Sequence, residues 1–171
     1  MNQNEEIIKI LINELKFRGL IKEKSNTFQN TEILLYNYNS FKKSIRLHNE
    51  QLQDLIDYGI PKKSKSITMM SNGPRKIDKN DQIEIAIENL KQQIYRLKVF
   101  LKHIDRILKE FREDPYYEII ELKYFKNKTI DEIAEIMKKD TSTISRNKNR
   151  LINEIKVKLL PNEIITEIIN Y

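Results

Sequence analysis

Two polar side chains near the C-terminus have the chemistry needed to read nucleic-acid bases. Arg146 and Asn149 are three residues apart in a segment with helical periodicity. An Arg guanidinium makes two parallel hydrogen bonds to guanine, an Asn amide makes two to adenine, and Ser or Thr hydroxyls serve either base. We therefore take Arg146 and Asn149 as the best base-reading candidates, followed by Thr141, Ser142 and Ser145.

Cationic side chains surround these candidates. Residues 123–160 contain ten Lys or Arg and five Asp or Glu, and this local excess of +5 compares with a net charge of +6 for the whole chain. Such a local excess of positive charge indicates one confined phosphate-binding region rather than a surface that is basic throughout. The predicted phosphate-binding groups are the amides that begin each helix and the side chains of Thr129, Lys138, Lys139, Lys148 and Arg150.

Two helix starts, eleven residues apart, would position these groups. Thr129 followed three residues later by Glu132 predicts a capping box. Asp140 predicts a second N-cap, ahead of a longer helix to Leu160 whose inward positions are Ile144, Leu151, Ile155 and Leu159. A short helix, a tight turn and a longer cationic helix are typical of the helix-turn-helix, which places its second helix in the DNA major groove.

The preceding segment completes this C-terminal unit. Asp114-Pro115 predicts a break and then a helix from about Pro115 to Phe125, with Pro at a first-turn position. Residues 113–171 are thus predicted to form a domain of three helices and a short amphipathic C-terminal helix. The side chains expected to pack beneath the helix-turn-helix are Tyr116, Ile119, Ile120, Leu122 and Tyr124.

Residues 1–112 are predicted to form a helical, coiled-coil-like region. The pattern predicts a first helix over about 4–17, a second from Asn30 or Thr31 to Tyr58, and a third from Asp78 or Asn80 to Arg112. The second and third carry heptad seams, and His48 occupies one seam position. The intervening residues 61–80 read as a long surface loop with six Lys or Arg and one acid.

The seams allow two arrangements. The second and third helices can fold back as an antiparallel hairpin within one chain, which we favour, or the third helix can pair with a second copy. The predicted fold class is therefore all-α: a long antiparallel helical hairpin plus a C-terminal helix-turn-helix unit.

Composition excludes several classes of protein. The chain has no Cys, which excludes disulfides and Cys-based metal sites. Gly-rich phosphate loops, nucleophile motifs and paired catalytic carboxylates are lacking as well, so we expect no enzyme and no cofactor. No apolar run approaches a membrane span, and the N-terminus is acidic where a signal peptide is basic. The expectation is a cytoplasmic protein without membrane contact.

Residues 116–155 also resemble a known family. The segment YYEIIELKYFKNKTIDEIAEIMKKDTSTISRNKNRLINEI is similar to the C-terminal, −35-recognising helix-turn-helix of bacterial sigma factors. Phage late-gene regulators of the ArpU/RinA type resemble the chain over a longer stretch, including a TEILLYNYNSFKKSI-like helix. Two features depart from the sigma pattern: Lys138-Lys139 in the turn, and Asn147 at a position that is commonly apolar.

The resemblance implies a phage or prophage transcriptional regulator that binds double-stranded DNA and acts with RNA polymerase or with a second copy of itself. Two alternatives stay open. A small-terminase-like packaging protein would combine a helix-turn-helix with coiled helices and assemble into rings. A coiled-coil adaptor would bind no nucleic acid, although the basic C-terminal helix argues against it.

Overall fold

All elements of the described chain are helical. The computed structural model describes residues 26–59 and 78–160, together with four helical positions nearer the N-terminus, Glu6, Lys9, Ile10 and Asn13. Its α-helices are α1 (Thr27–Tyr36), α2 (Tyr38–Tyr58), α3 (Lys79–Glu110), α4 (Glu118–Ile120), α5 (Ile130–Met137) and α6 (Thr141–Leu159). A π-helical turn, Glu121–Phe125, follows α4 directly.

The predicted second helix begins earlier than expected and is interrupted. Asn26 caps α1 by accepting the Gln29 N–H at 2.9 Å, so the helix starts at Thr27. At Asn37 the side-chain amide donates to the Ile33 carbonyl at 2.8 Å, and the Asn37 backbone N–H donates to the same oxygen at 3.0 Å. A short polar side chain that competes for a helix carbonyl favours a break, and α2 therefore begins anew at Tyr38.

The helix predicted over Pro115–Phe125 forms over only part of that range, and its second half is π-helical. Residues 111–117 form turns, since the Asp114 carboxylate accepts the Tyr116 N–H at 2.8 Å and the Asp114 carbonyl accepts the Tyr117 N–H at 2.9 Å. Regular helix begins only at Glu118 and widens into the π-turn, where the Lys126 N–H reaches back to the Glu121 carbonyl. Asn127, at φ 54°, then ends the element in the left-handed region, which Asn tolerates well.

One compact unit comprises residues 1–41 and 99–171. Within it α6 packs against α1, α4 and α5. Ile119, Leu122, Ile133, Ala134 and Ile144 form a buried cluster, with Tyr116, Ile130 and Met137 at its margin. Of the side chains predicted to pack beneath the helix-turn-helix, Ile119 and Leu122 belong to this cluster and Tyr116 lies at its margin.

Aromatic contacts connect further elements of this unit. The rings of Tyr36 and Tyr124 meet edge to face with centroids 4.7 Å apart, and those of Phe41 and Phe100 do so at 5.5 Å. The Tyr38 hydroxyl donates a hydrogen bond to Asp105. Burial and that bond both raise the pKa of Tyr38, so its hydroxyl stays protonated across the physiological range.

Residues 42–98 form the second compact unit, which holds most of α2 and the first part of α3. Gly59, at φ +70°, ends α2 in a conformation that favours glycine, and its N–H donates to Leu55 at 3.0 Å. A Cβ placed on Gly59 would lie 3.4 Å from Cδ1 of Ile83, so the end of α2 meets the start of α3.

Three predictions fall on residues that the structure does not describe: most of the first helix, the loop within 61–80, and the amphipathic C-terminal helix.

Candidate nucleic-acid interface

Helix α5 begins with the predicted capping box. The Thr129 hydroxyl accepts the Glu132 N–H at 3.2 Å, and the Glu132 carboxylate accepts the Thr129 N–H at 2.7 Å. Lys128 Nζ donates to the same carboxylate at 2.7 Å. The bonds from Lys128 and Thr129 lower the pKa of Glu132 from 4.5 to about 2. The side chain of Thr129 is thereby engaged in holding the start of α5.

A tight turn built on two lysines joins α5 to α6. Lys138 has φ 53° and ψ 47°, the left-handed conformation, and its N–H donates to the Glu135 backbone carbonyl at 3.2 Å. The Lys139 N–H donates to the Ala134 backbone carbonyl at 3.0 Å. These two bonds define a Schellman turn, in which glycine is the usual left-handed residue. Lys138 and Lys139 are both exposed there.

Asp140 caps α6 as the sequence predicted. Its carboxylate accepts the Thr143 N–H at 2.7 Å, the Thr143 hydroxyl at 2.8 Å and the Ser142 hydroxyl at 2.5 Å. These bonds, the largest from Ser142, lower the pKa of Asp140 below its ordinary value. The Ser142 hydroxyl proton is therefore committed to the cap, although Ser142 itself is exposed, as is Thr141 beside it.

The face of α6 away from the core presents polar side chains in a row. Arg146 and Asn149 are exposed, and Ser145, on the same side of the helix, is half-buried. Asn153, which the sequence analysis missed, extends the row by one turn and donates to the Asn149 carbonyl at 2.9 Å. Asn153 lies four residues after Asn149, and residues four apart share a helix face, so this spacing could have predicted its place in the row.

Lys148 lies on the opposite, inward face of α6. Its Nζ donates to Glu32 of α1 at 2.9 Å, its side chain is only 17% exposed, and it lies 5.7 Å from the centre of the Phe28 ring. Tyr124 donates to the same Glu32 oxygen at 2.7 Å. Lys148 was predicted to bind phosphate, but here it holds α1 against α6.

Arg150 is also engaged within the protein. Its Nη2 donates to both oxygens of Asp114 at 3.0 and 2.8 Å, and its Nη1 donates to Glu154 at 3.1 Å. Asp114 in turn holds the Tyr116 N–H, so this arginine fixes the turn before α4 to the flank of α6. Asn147, the residue that departs from the sigma pattern, accepts from Arg150 Nε at 3.4 Å and donates to the Thr143 carbonyl at 3.0 Å.

The remaining cations around the turn have no such carboxylates. Within residues 26–59 and 78–160, Lys138, Lys139 and Arg146 form no ion pair. All three are exposed and lie within seven residues of the N-cap of α6. An exposed cation that no intramolecular carboxylate neutralises is available to an external anion. The arrangement thus combines Lys138 and Lys139 with the row Ser145, Arg146, Asn149 and Asn153, in which Arg146 is the third of these cations.

The described part of the chain contains no group of three His, Cys, Asp or Glu side chains placed to hold a metal ion. None of its helices is long and apolar enough to cross a membrane.

In comparisons with known proteins the chain matched no family model, no curated protein and no solved structure.

Proposed function

We propose that this protein is a sequence-specific duplex-DNA-binding regulator of transcription, with α5 and α6 as a helix-turn-helix and α6 as its recognition helix. The observation that carries the proposal is the polar row on α6, which includes Arg146, together with Lys138 and Lys139. None of these three cations forms an ion pair with another described residue. In known helix-turn-helix proteins, side chains near the start of the second helix contact base edges. Arg146 and Asn149 occupy that region here.

We assign the roles from the chemistry of each side chain and from its contacts within the chain. Arg146 binds guanine and Asn149 adenine through bidentate hydrogen bonds, with Thr141 and Ser145 assisting. Lys138 and Lys139 bind backbone phosphates and fix the register of the protein on the duplex. Lys148 and Arg150 are left out of this interface, because carboxylates of the same chain already bind both.

The partner in transcription is proposed from the sequence resemblance alone. Sigma factors act with RNA polymerase, and the segment of this chain that resembles their helix-turn-helix contains α5 and α6. On that basis we propose a phage or prophage late-gene activator that brings RNA polymerase to its promoter.

Binding selection from a random duplex pool tests the proposal. The full chain should enrich one motif, and its affinity for that motif should fall steeply between about 50 and 200 mM salt as bound cations are released from DNA. Recovery of the pool unenriched, with no salt-dependent binding to any duplex, would overturn it.

A further inference from the structure

Charge is segregated along the unit formed by residues 42–98. Residues 42–49 and 89–98 contain six Lys or Arg and no acid, whereas residues 50–58 and 79–88 contain six acids and one Lys. Within this unit, each of the two helices therefore has one cationic half and one acidic half.

This distribution of charge is complementary to itself. The two acidic halves adjoin one end of the unit, because Gly59 at the end of α2 lies next to Ile83 near the start of α3. A twofold rotation about an axis perpendicular to α2 places the acidic end of each copy against the cationic end of the other. A parallel arrangement of two copies places like charges together.

Part of the charge on α2 is already matched within the chain. Arg46 and Glu50 form an ion pair at 3.7 Å, and Lys42 has an interaction of its own. Lys43 and Asp54, which flank that ion pair in the sequence, form no ion pair with any described residue. Both are exposed, so they are the charges on α2 that a second copy can bind.

These two charges belong to a stripe along α2. At 100° per residue, the stripe spans about 80° of the helix surface and is centred about 120° from the apolar seam. Its five side chains are all exposed, and they are Lys43, Leu47, Gln51, Asp54 and Tyr58. Leu47 is 42% exposed and Tyr58 is 84% exposed, so the stripe combines apolar surface with one charge of each sign.

The spacing along the stripe suits an antiparallel pair of α2 helices. When the twofold axis passes midway between positions 48 and 49, Lys43 of each copy lies opposite Asp54 of the other, because the two are equidistant from that midpoint. The two Leu47 side chains then lie about 4.5 Å apart along the helix axes, where they pack against each other. One register therefore satisfies both charges and covers apolar surface.

We infer that the stripe Lys43, Leu47, Gln51, Asp54 and Tyr58 is the interface of an antiparallel homodimer, in which Lys43 of each copy binds Asp54 of the other. The stripe is short, so its small contact area makes the dimer weak and reversible. The inference does not depend on DNA binding. In the proposed regulator, a dimer presents two copies of α6 and so favours a duplex site with two halves.

A charge swap in the full chain tests the interface by sedimentation velocity over a concentration series. K43E places two acids against each other, and D54K places two cations against each other. Each variant should weaken the dimer about tenfold, because two exposed ion pairs become two repulsive contacts. The double variant K43E/D54K restores opposite charges across the interface and should recover the wild-type dimerisation constant. The control E135K makes the same charge change as D54K on α5, outside this unit, and should have no effect.

Three outcomes overturn the inference. They are a wild-type chain that remains a single copy at every concentration up to about 100 μM, a double variant that dimerises as weakly as the single variants, and a loss in E135K equal to that in D54K. Circular dichroism melts should show that the variants stay folded, since Lys43 and Asp54 are exposed. Failure of the dimer leaves the proposed function standing, because binding selection tests that separately.

Discussion

Glu32 and Lys148 form an ion pair with Nζ and Oε1 2.9 Å apart, although 116 residues separate them in the sequence. The two side chains are 23% and 17% exposed, and Tyr124 donates to the same Glu32 oxygen. Burial and the bond to Glu32 raise the pKa of Tyr124, so its hydroxyl remains a donor. This contact fixes the inward face of α6 to α1 and leaves the opposite face exposed.

The first prediction concerns the strength of this ion pair. E32Q and K148M should each destabilise the fold, because each leaves a partly buried group without its charged partner. A double-mutant cycle measured by urea unfolding should give a coupling energy of about 1–2 kcal/mol. K148M should leave the salt dependence of DNA binding unchanged. Strictly additive losses of stability would show that the ion pair contributes nothing.

The second prediction concerns the left-handed lysine of the turn. Lys138 has φ 53°, where glycine has no Cβ penalty. K138G should therefore raise the free energy of unfolding by about 0.5–1 kcal/mol. K139G removes a neighbouring charge at a position without positive φ and should lower stability instead. A destabilised K138G in urea unfolding would argue against the Schellman turn.

The third prediction is a pH dependence. The folded pKa of Glu132 is about 2 against an ordinary value of 4.5, and that of Asp140 is also lowered. A depressed carboxyl pKa stabilises the folded state above the unfolded pKa, and this stabilisation is lost as pH falls through the folded value. Stability should therefore fall between about pH 5 and pH 2.

Two variants locate the origin of that loss. E132Q should flatten the acid limb of stability against pH, because Gln cannot gain the proton. E135Q changes an exposed acid on the same helix outside the capping box and should keep the wild-type profile. Identical profiles for E132Q and the wild-type chain would contradict the assignment.

The caps were predictable from sequence because they depend on short-range spacing. Thr129 with Glu132, and Asp140 with Thr143, are three residues apart, so local chemistry alone fixes both helix starts. The interruption at Asn37 and the π-turn before Lys126 were missed. Both depend on which donors bind a few backbone carbonyls, and the spacing of apolar residues carries no information about that choice.

Lys148 shows how charge can mislead the interpretation of a helix. It lies four residues after Ile144 and three before Leu151, so its spacing matches the buried stripe. Its charge alone suggested the DNA-facing side. Only the fold shows that Glu32, from a distant helix, neutralises it there. Arg150 is similar, since its partner Asp114 lies in the turn before α4, 36 residues away in the sequence.

The central claim is that the exposed face of α6 reads duplex sequence through Arg146. Binding selection from a random duplex pool, carried out with R146A, K148M and the wild-type chain, tests this claim most directly. R146A should lose preference at one or two base positions, equivalent to about 1–3 kcal/mol, while K148M should enrich the wild-type motif. If R146A enriches the same motif with undiminished discrimination, α6 does not read DNA in the way proposed.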